Sequence, residues 1–202
     1  MPTIWFAILV TLAVTSGGCA TPPKTGIDVA KAAVDKAVAA KANEYAPQSL
    51  SAALDAQAKL DAELKVQDGH LPMMRSYSDA MKLAEVVTAA GKKAEEDAAK
   101  AEQFARSEAS TLVVDAKAVI QDAEAQLDNA PKGKGARADL DVMKPDLVAA
   151  KSAVGEAETA LAGQRYRDAK AKAEAATQTA KAIVTSMQGA REVRQTAKNR
   201  RR

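Results

Sequence analysis

The residue types that carry most enzyme chemistry are scarce in this sequence. Its 202 residues include one cysteine, Cys19, and one histidine, His70. His70 lies in a polar stretch without neighbouring ligands, whereas structural metal sites combine several Cys, His or carboxylate side chains. A nucleophile–base pair would need Lys or Glu as its base, and no motif indicates one. The sequence therefore predicts a protein that is not an enzyme and that holds no cofactor and no metal.

The charged clusters in the interior of the sequence are typical of solvated surface. The carboxylate pairs Asp61/Glu63 and Glu95/Glu96 lie in stretches with helical spacing, where we interpret them as exposed helix faces. The segment Lys132–Gly135 has the composition of an anion-binding loop, but no strand is predicted before it. A flexible basic turn is the favoured interpretation of that segment.

Cys19 follows a segment with the features of an export signal. Ile4 to Val14 is an uncharged apolar run of 11 residues, which is shorter than the span of about 20 residues that crosses a bilayer. It has the length of the hydrophobic region of a secretory signal peptide. Small residues follow it, and the sequence from Ser16 to Cys19, Ser-Gly-Gly-Cys, resembles the lipobox of bacterial lipoproteins.

The lipobox resemblance implies a specific modification. A diacylglyceryl group is added to the Cys19 thiol, the chain is cut before Cys19, and the new amine receives a further acyl chain such as palmitate. By the same resemblance, Ala20 in place of Asp implies sorting to the periplasmic side of the outer membrane rather than retention in the inner membrane. Pro22 and Pro23 predict an extended tether. An ordinary cleaved signal peptide with an unrelated cysteine is the alternative.

The composition predicts slender helices and a small core. Apolar residues make up 47% of the chain and aromatic residues 3%, and 48 residues are alanine. Alanine is the best helix former. It buries little area, however, and at roughly 25 cal/mol per Å² of buried apolar surface it contributes little to the stability of a core. An aromatic-lined ligand pocket is therefore not expected.

Turn signals divide the chain into helices. Pro47 suits the first turn of a helix, Asp68-Gly69 and Pro72 indicate a turn, and Asp128–Gly135 is the clearest loop. The central helix has small residues at heptad-like spacing, Gly91 among them, which let a neighbouring helix approach closely. The predicted helices are 27–43, 47–65, 77–127, 138–162 and 166–197, with a turn at 163–165.

Part of the sequence is duplicated. The segment Tyr77–Glu85 matches Tyr166–Glu174, with Tyr, Asp, Ala, Ala and Glu shared at an offset of 89 positions. Upstream, Leu50 and Leu64 match Leu147 and Leu161 at an offset of 97 positions. We interpret the two segments as copies of one antiparallel helical hairpin.

The repeated hairpin carries a family resemblance. Leu161, Gly163, Tyr166 and Ala169 are spaced as in the turn of a tetratricopeptide unit, where the glycine allows close helix approach and the tyrosine packs over the turn. With the Pro47-x-x-Leu50 start, the hairpin resembles the domain-of-unknown-function 4398 family. That resemblance implies a bacterial envelope setting, and it implies hairpin-packing roles for Tyr77, Tyr166 and Gly163.

The C-terminal segment 191–202 is strongly basic, with Glu192 as its only acidic residue. In an exported protein such a cluster suits an anionic surface, for example lipopolysaccharide phosphates, acidic lipids or peptidoglycan carboxylates. A solubilising helix end is the alternative interpretation. The basic residues are Arg191, Arg194, Lys198, Arg200, Arg201 and Arg202.

Together these features predict an all-α protein of elongated antiparallel hairpins, an alanine-rich bundle with one long central helix. The predicted function is that of a cell-envelope lipoprotein acting as a periplasmic spacer, scaffold or adaptor. It would be anchored to the membrane through its lipid, with peptidoglycan or an envelope protein as partner, no nucleic acid, and self-association left open. The alternative is a periplasmic peptide-binding or chaperone-like module. The predicted divisions are a signal peptide at 1–18, a lipidated tether at 19–26, hairpin repeats at 27–130 and 136–197, and the basic tail at 191–202.

Overall fold

The computed structural model describes residues 21–130 and 136–200. Within them the chain is α-helical with one short 3₁₀ turn and no strand, which confirms the predicted all-α fold with one long central helix. None of the helices in these residues is both long and apolar enough to cross a membrane. The helices are α1 (Lys24–Ala39), α2 (Ala42–Tyr45), α3 (Pro47–Gly69), α4 (Ser78–Asp128), α5 (Ala136–Ala162) and α6 (Tyr166–Arg200), and the 3₁₀ turn is Pro72–Met74.

The first helix begins earlier and ends earlier than predicted. It starts at Lys24, so the last three residues of the predicted tether, 24–26, are helical. The reason is that Pro23 suits a helix start, and its carbonyl accepts a hydrogen bond from the Ile27 N–H at 3.1 Å. The helix stops at Ala39 because Lys41 adopts a left-handed backbone conformation, with φ of 58°.

The connection between α3 and α4 is held by side chains. Arg75 donates from Nε to the His70 carbonyl at 3.1 Å and from Nη2 to the Asp68 carbonyl at 2.9 Å. Both carbonyls lie at the C-terminal end of α3, where helical partners are missing. The Ser76 N–H also donates to Gln67 Oε1 at 2.9 Å. These bonds let α3 continue to Gly69 rather than end at the predicted boundary of Lys65.

We expect Arg75→Ala to lower the free energy of unfolding by about 0.5–1.5 kcal/mol, because two carbonyls lose a charged donor. Arg75→Lys keeps the charge but loses the planar fork, so its loss should be smaller. Urea unfolding followed by circular dichroism measures both variants. Equal stability of all three proteins would contradict the capping role.

Two compact units make up the fold, divided between Asp97 and Ala98 within α4. In the first unit, α1, α3 and the beginning of α4 share one core of small and branched side chains. This core contains Ala30, Val34, Ala53, Ala56, Leu60, Tyr77, Ala80, Ala84 and Val87. In the second unit, the end of α4 packs with α5 and α6. That core contains Val113, Ala116, Ile120, Ala123, Ala130, Ala150, Val154, Ala157, Ala173, Ala176, Ala180, Ile183 and Met187.

The two units repeat the same burial pattern, over more of the chain than the sequence comparison covered. In α4 the buried positions run from Tyr77 to Ala98, and in α6 they recur 89 positions later, from Tyr166 to Met187. The pattern of α1 also recurs in the last part of α4, 86 positions later. The matched buried pairs are Ile27 and Val113, Ala30 and Ala116, Val34 and Ile120, and Ala37 and Ala123. The repeated unit therefore consists of three helical segments rather than the two of a hairpin.

Candidate functional site

Several predicted site residues lie outside the described part of the chain. These are Cys19, the predicted basic turn Lys132–Gly135, and the last two residues, Arg201 and Arg202. Helix α6 continues to Arg200, so the rest of the basic segment is helical, and Arg191 and Arg200 have exposed side chains. Backbone positions 191, 194 and 198 are spaced by three and four residues, which aligns them along one side of a helix.

The hairpin residues lie at the turns that precede α4 and α6. Tyr77 and Tyr166 are both buried, and the Tyr77 hydroxyl donates to Asp68 Oδ1 at 3.3 Å. Gly163 lies in the turn between α5 and α6, where its N–H donates to the Thr159 carbonyl at 3.0 Å. The left-handed residue of that turn is its neighbour Gln164, with φ of 57°.

The charged side chains form ion pairs across helices in the second unit. Lys170 donates to Glu108 at 2.6 Å, and Lys172 donates to Glu156 at 2.6 Å. The hydrogen bond to each carboxylate raises the pKa of its lysine, so both lysines stay protonated at neutral pH. These lysines are therefore poor general bases. Within the described residues no three His, Cys, Asp or Glu side chains cluster as a metal site would require.

The loop before α4 exposes apolar side chains. Met73 is 89% exposed, and Leu71 and Met74 are also exposed. The 3₁₀ turn formed by Pro72–Met74 directs them away from the core of the first unit.

The first unit has a groove on its surface. It lies between the start of α1 and one side of α4, and we call it the N-terminal groove. Its volume is about 680 Å³, within the range of sites that hold small ligands. Its apolar lining comes mainly from Pro23, Gly26, Val29, Met81, Ala84 and Ala89.

Half of the equivalent positions of the second unit are polar. Lys170 and Gln178 occupy the positions of Met81 and Ala89, 89 residues later, and Asp115 occupies the position of Val29, 86 residues later. Lys170 also forms an ion pair with Glu108. Ala109, Leu112 and Ala173 match Pro23, Gly26 and Ala84, so the two units differ in polarity at three positions of the lining.

This groove is not predictable from local sequence patterns, because its two walls are far apart in the sequence. The available signal was a contrast between the repeats, Met81 in one copy against Lys170 in the other. An exposed apolar residue where the second copy has a charge indicates a different surface role.

Comparison with known proteins adds no relative. No protein-family model matches the chain, and neither a curated protein nor a solved structure shows significant similarity to it. The resemblance to the domain-of-unknown-function 4398 family therefore stays a prediction. Function is inferred from the residues and geometry of this chain alone.

Proposed function

We propose that this chain is a non-enzymatic lipoprotein of the bacterial cell envelope. It is attached to the outer membrane through acyl chains on Cys19, and its helices act on the periplasmic side as a spacer, scaffold or adaptor. The observation that carries the proposal is the Ser-Gly-Gly-Cys sequence directly after an uncharged apolar run. Several acyl chains give stable anchoring where one gives only marginal binding.

The described structure supports a scaffold placed close to its anchor. Helix α1 begins at Lys24, five residues after Cys19, and five extended residues span at most about 18 Å. A link of that length keeps the first unit near the membrane surface. The exposed basic residues of α6, Arg191 and Arg200, suit contact with an anionic polymer or lipid.

The anchor is tested by blocking the enzyme that cuts lipoprotein signals. Globomycin should cause an uncut, lipidated precursor to accumulate, and the mature N-terminal peptide should carry the mass of its acyl groups. The control is Cys19→Ala, which should move from the membrane fraction to the soluble fraction, since no thiol remains for the lipid. A Cys19→Ala protein that stays with membranes would overturn the lipid anchor.

The basic end of α6 is tested by charge reversal. We expect Arg191→Glu with Arg200→Glu to weaken co-sedimentation with isolated cell wall and with anionic vesicles, because attraction to an anionic surface falls with each positive charge that is reversed. Added salt should weaken the parent protein's binding in the same way. The matched control is Lys59→Glu with Lys65→Glu, exposed lysines of α3 that carry the same change in net charge. Equal losses in both double variants would contradict a specific role for α6.

A further inference from the structure

We propose that the N-terminal groove holds one of the acyl chains carried by Cys19. This inference rests on the proposed lipoprotein function and assigns a place on the protein to part of the anchor. The groove would take a saturated hydrocarbon chain, while the other acyl chains stay in the membrane.

The lining of the groove fits a hydrocarbon rather than a polar ligand. Met81 is 52% exposed and Val29 is similarly exposed, so both side chains have apolar surface available for a further apolar group. Ala84 and Ala89 on α4 are short, which leaves a trough between the two helices. Lys24, Glu85 and Lys92 supply the charged groups of the groove and carry both signs.

The repeat provides an internal comparison for this assignment. Both units have the same buried pattern, so the matched surface of the second unit can be compared with the groove. There the surface has Lys170, Asp115 and Gln178, and Lys170 is paired with Glu108 at 2.6 Å. The apolar version occurs in the unit that begins beside the proposed anchor.

The position of the groove makes Cys19 its nearest source of hydrocarbon. Pro23 lines the groove and is four residues after Cys19, a distance of at most about 14 Å when extended. A ligand on so short a flexible link has an effective concentration on the order of mM. Even weak affinity of the groove for an alkyl chain would then keep it occupied.

The test uses the full lipidated protein in its own envelope. A benzophenone amino acid, p-benzoylphenylalanine, replaces Met81 in one variant and Val29 in another, since these residues form opposite walls of the groove. The matched control places the same probe at Val86, which lies on α4 and is 54% exposed but does not line the groove. After irradiation, the purified protein is digested and its cross-linked peptides are identified by mass spectrometry.

The expected result is a cross-link between the acyl group of the N-terminal peptide and positions 81 and 29, several-fold above position 86. Equal cross-linking at all three positions, or cross-links at 81 and 29 to a second copy or to another protein, would overturn the inference. So would the absence of an acyl cross-link in protein whose intact mass includes the acyl groups, and in that case the lipoprotein function stands. An intact mass without acyl groups overturns the function and the inference together.

Discussion

Gly91→Ala should lower the free energy of unfolding by about 1–3 kcal/mol, the usual cost of forcing extra volume into packed helices. A Cβ atom at position 91 would lie 2.7 Å from the Ala33 carbonyl carbon and 2.9 Å from both Ala33 Cβ and the Ala33 oxygen. Backbone atoms cannot rotate away as a long side chain can, so α1 and α4 would have to separate. Urea unfolding followed by circular dichroism measures the change.

The control for Gly91→Ala is the same substitution where there is space. Gly155 lies inside α5, and nothing is within 4 Å of a Cβ built there. Alanine is favoured over glycine in a helix interior by about 1 kcal/mol, so Gly155→Ala should stabilise the protein. The two variants are expected to have opposite signs. If Gly91→Ala stabilised the protein as Gly155→Ala does, the close approach of α1 to α4 would be wrong.

Amide hydrogen exchange would show which helices Gly91→Ala destabilises. Protection should fall first for the amides of α1, because that helix must move away from α4. The equivalent pair in the second unit is Ala180 and Val119, in which both residues already carry a Cβ. Amides of α5 and α6 should therefore lose little protection in comparison.

Leu60→Ala should destabilise the first unit by about 2–5 kcal/mol, the range for deleting a buried leucine. Leu60 is 0% exposed, and in the described chain it is the largest side chain that is fully buried, followed by Val87. It packs in a core whose other α3 members are Ala53 and Ala56. Short alanine side chains cannot move in to fill the space it leaves, so the cavity should persist.

The matched control for Leu60→Ala is Leu54→Ala on the same helix. Leu54 is 47% exposed, so its replacement keeps the change in helix propensity and removes about half of the change in burial. We expect Leu54→Ala to cost well under half as much in the same urea titration. Similar midpoints for the two variants would show that the core of the first unit does not depend on Leu60.

Helix boundaries were predictable where the sequence carries a local signal. Pro47 starts α3 as predicted, α4 occupies Ser78–Asp128 against a predicted 77–127, and the turn at 163–165 lies where Gly163 indicated it. The break at Lys41 was not predictable, because no Gly or Pro marks it. It forms where Ala42 and Tyr45 become buried, and tertiary burial of this kind overrides local propensity.

The same distinction applies to the candidate sites: some are indicated by adjacent residues, and one is formed by residues far apart in the sequence. The Cys19 prediction depends on a few adjacent residues, and the basic tail on one short segment, so both could be read from the sequence. The N-terminal groove needs Val29 and Met81 to come together from two helices. No periodicity within either helix indicates that meeting, and the contrast between Met81 in one repeat and Lys170 in the other concerns one position only.

The alanine-rich cores described above also determine how this protein responds to temperature. The heat capacity change of unfolding grows with the apolar surface that becomes exposed, and averages about 12–15 cal/mol/K per residue in globular proteins. Most buried residues in the described part of the chain are alanine, which exposes little such surface on unfolding, so the value per residue should be lower. A small heat capacity change flattens the curve of stability against temperature. The stability of the fold should therefore change little between cold and warm conditions.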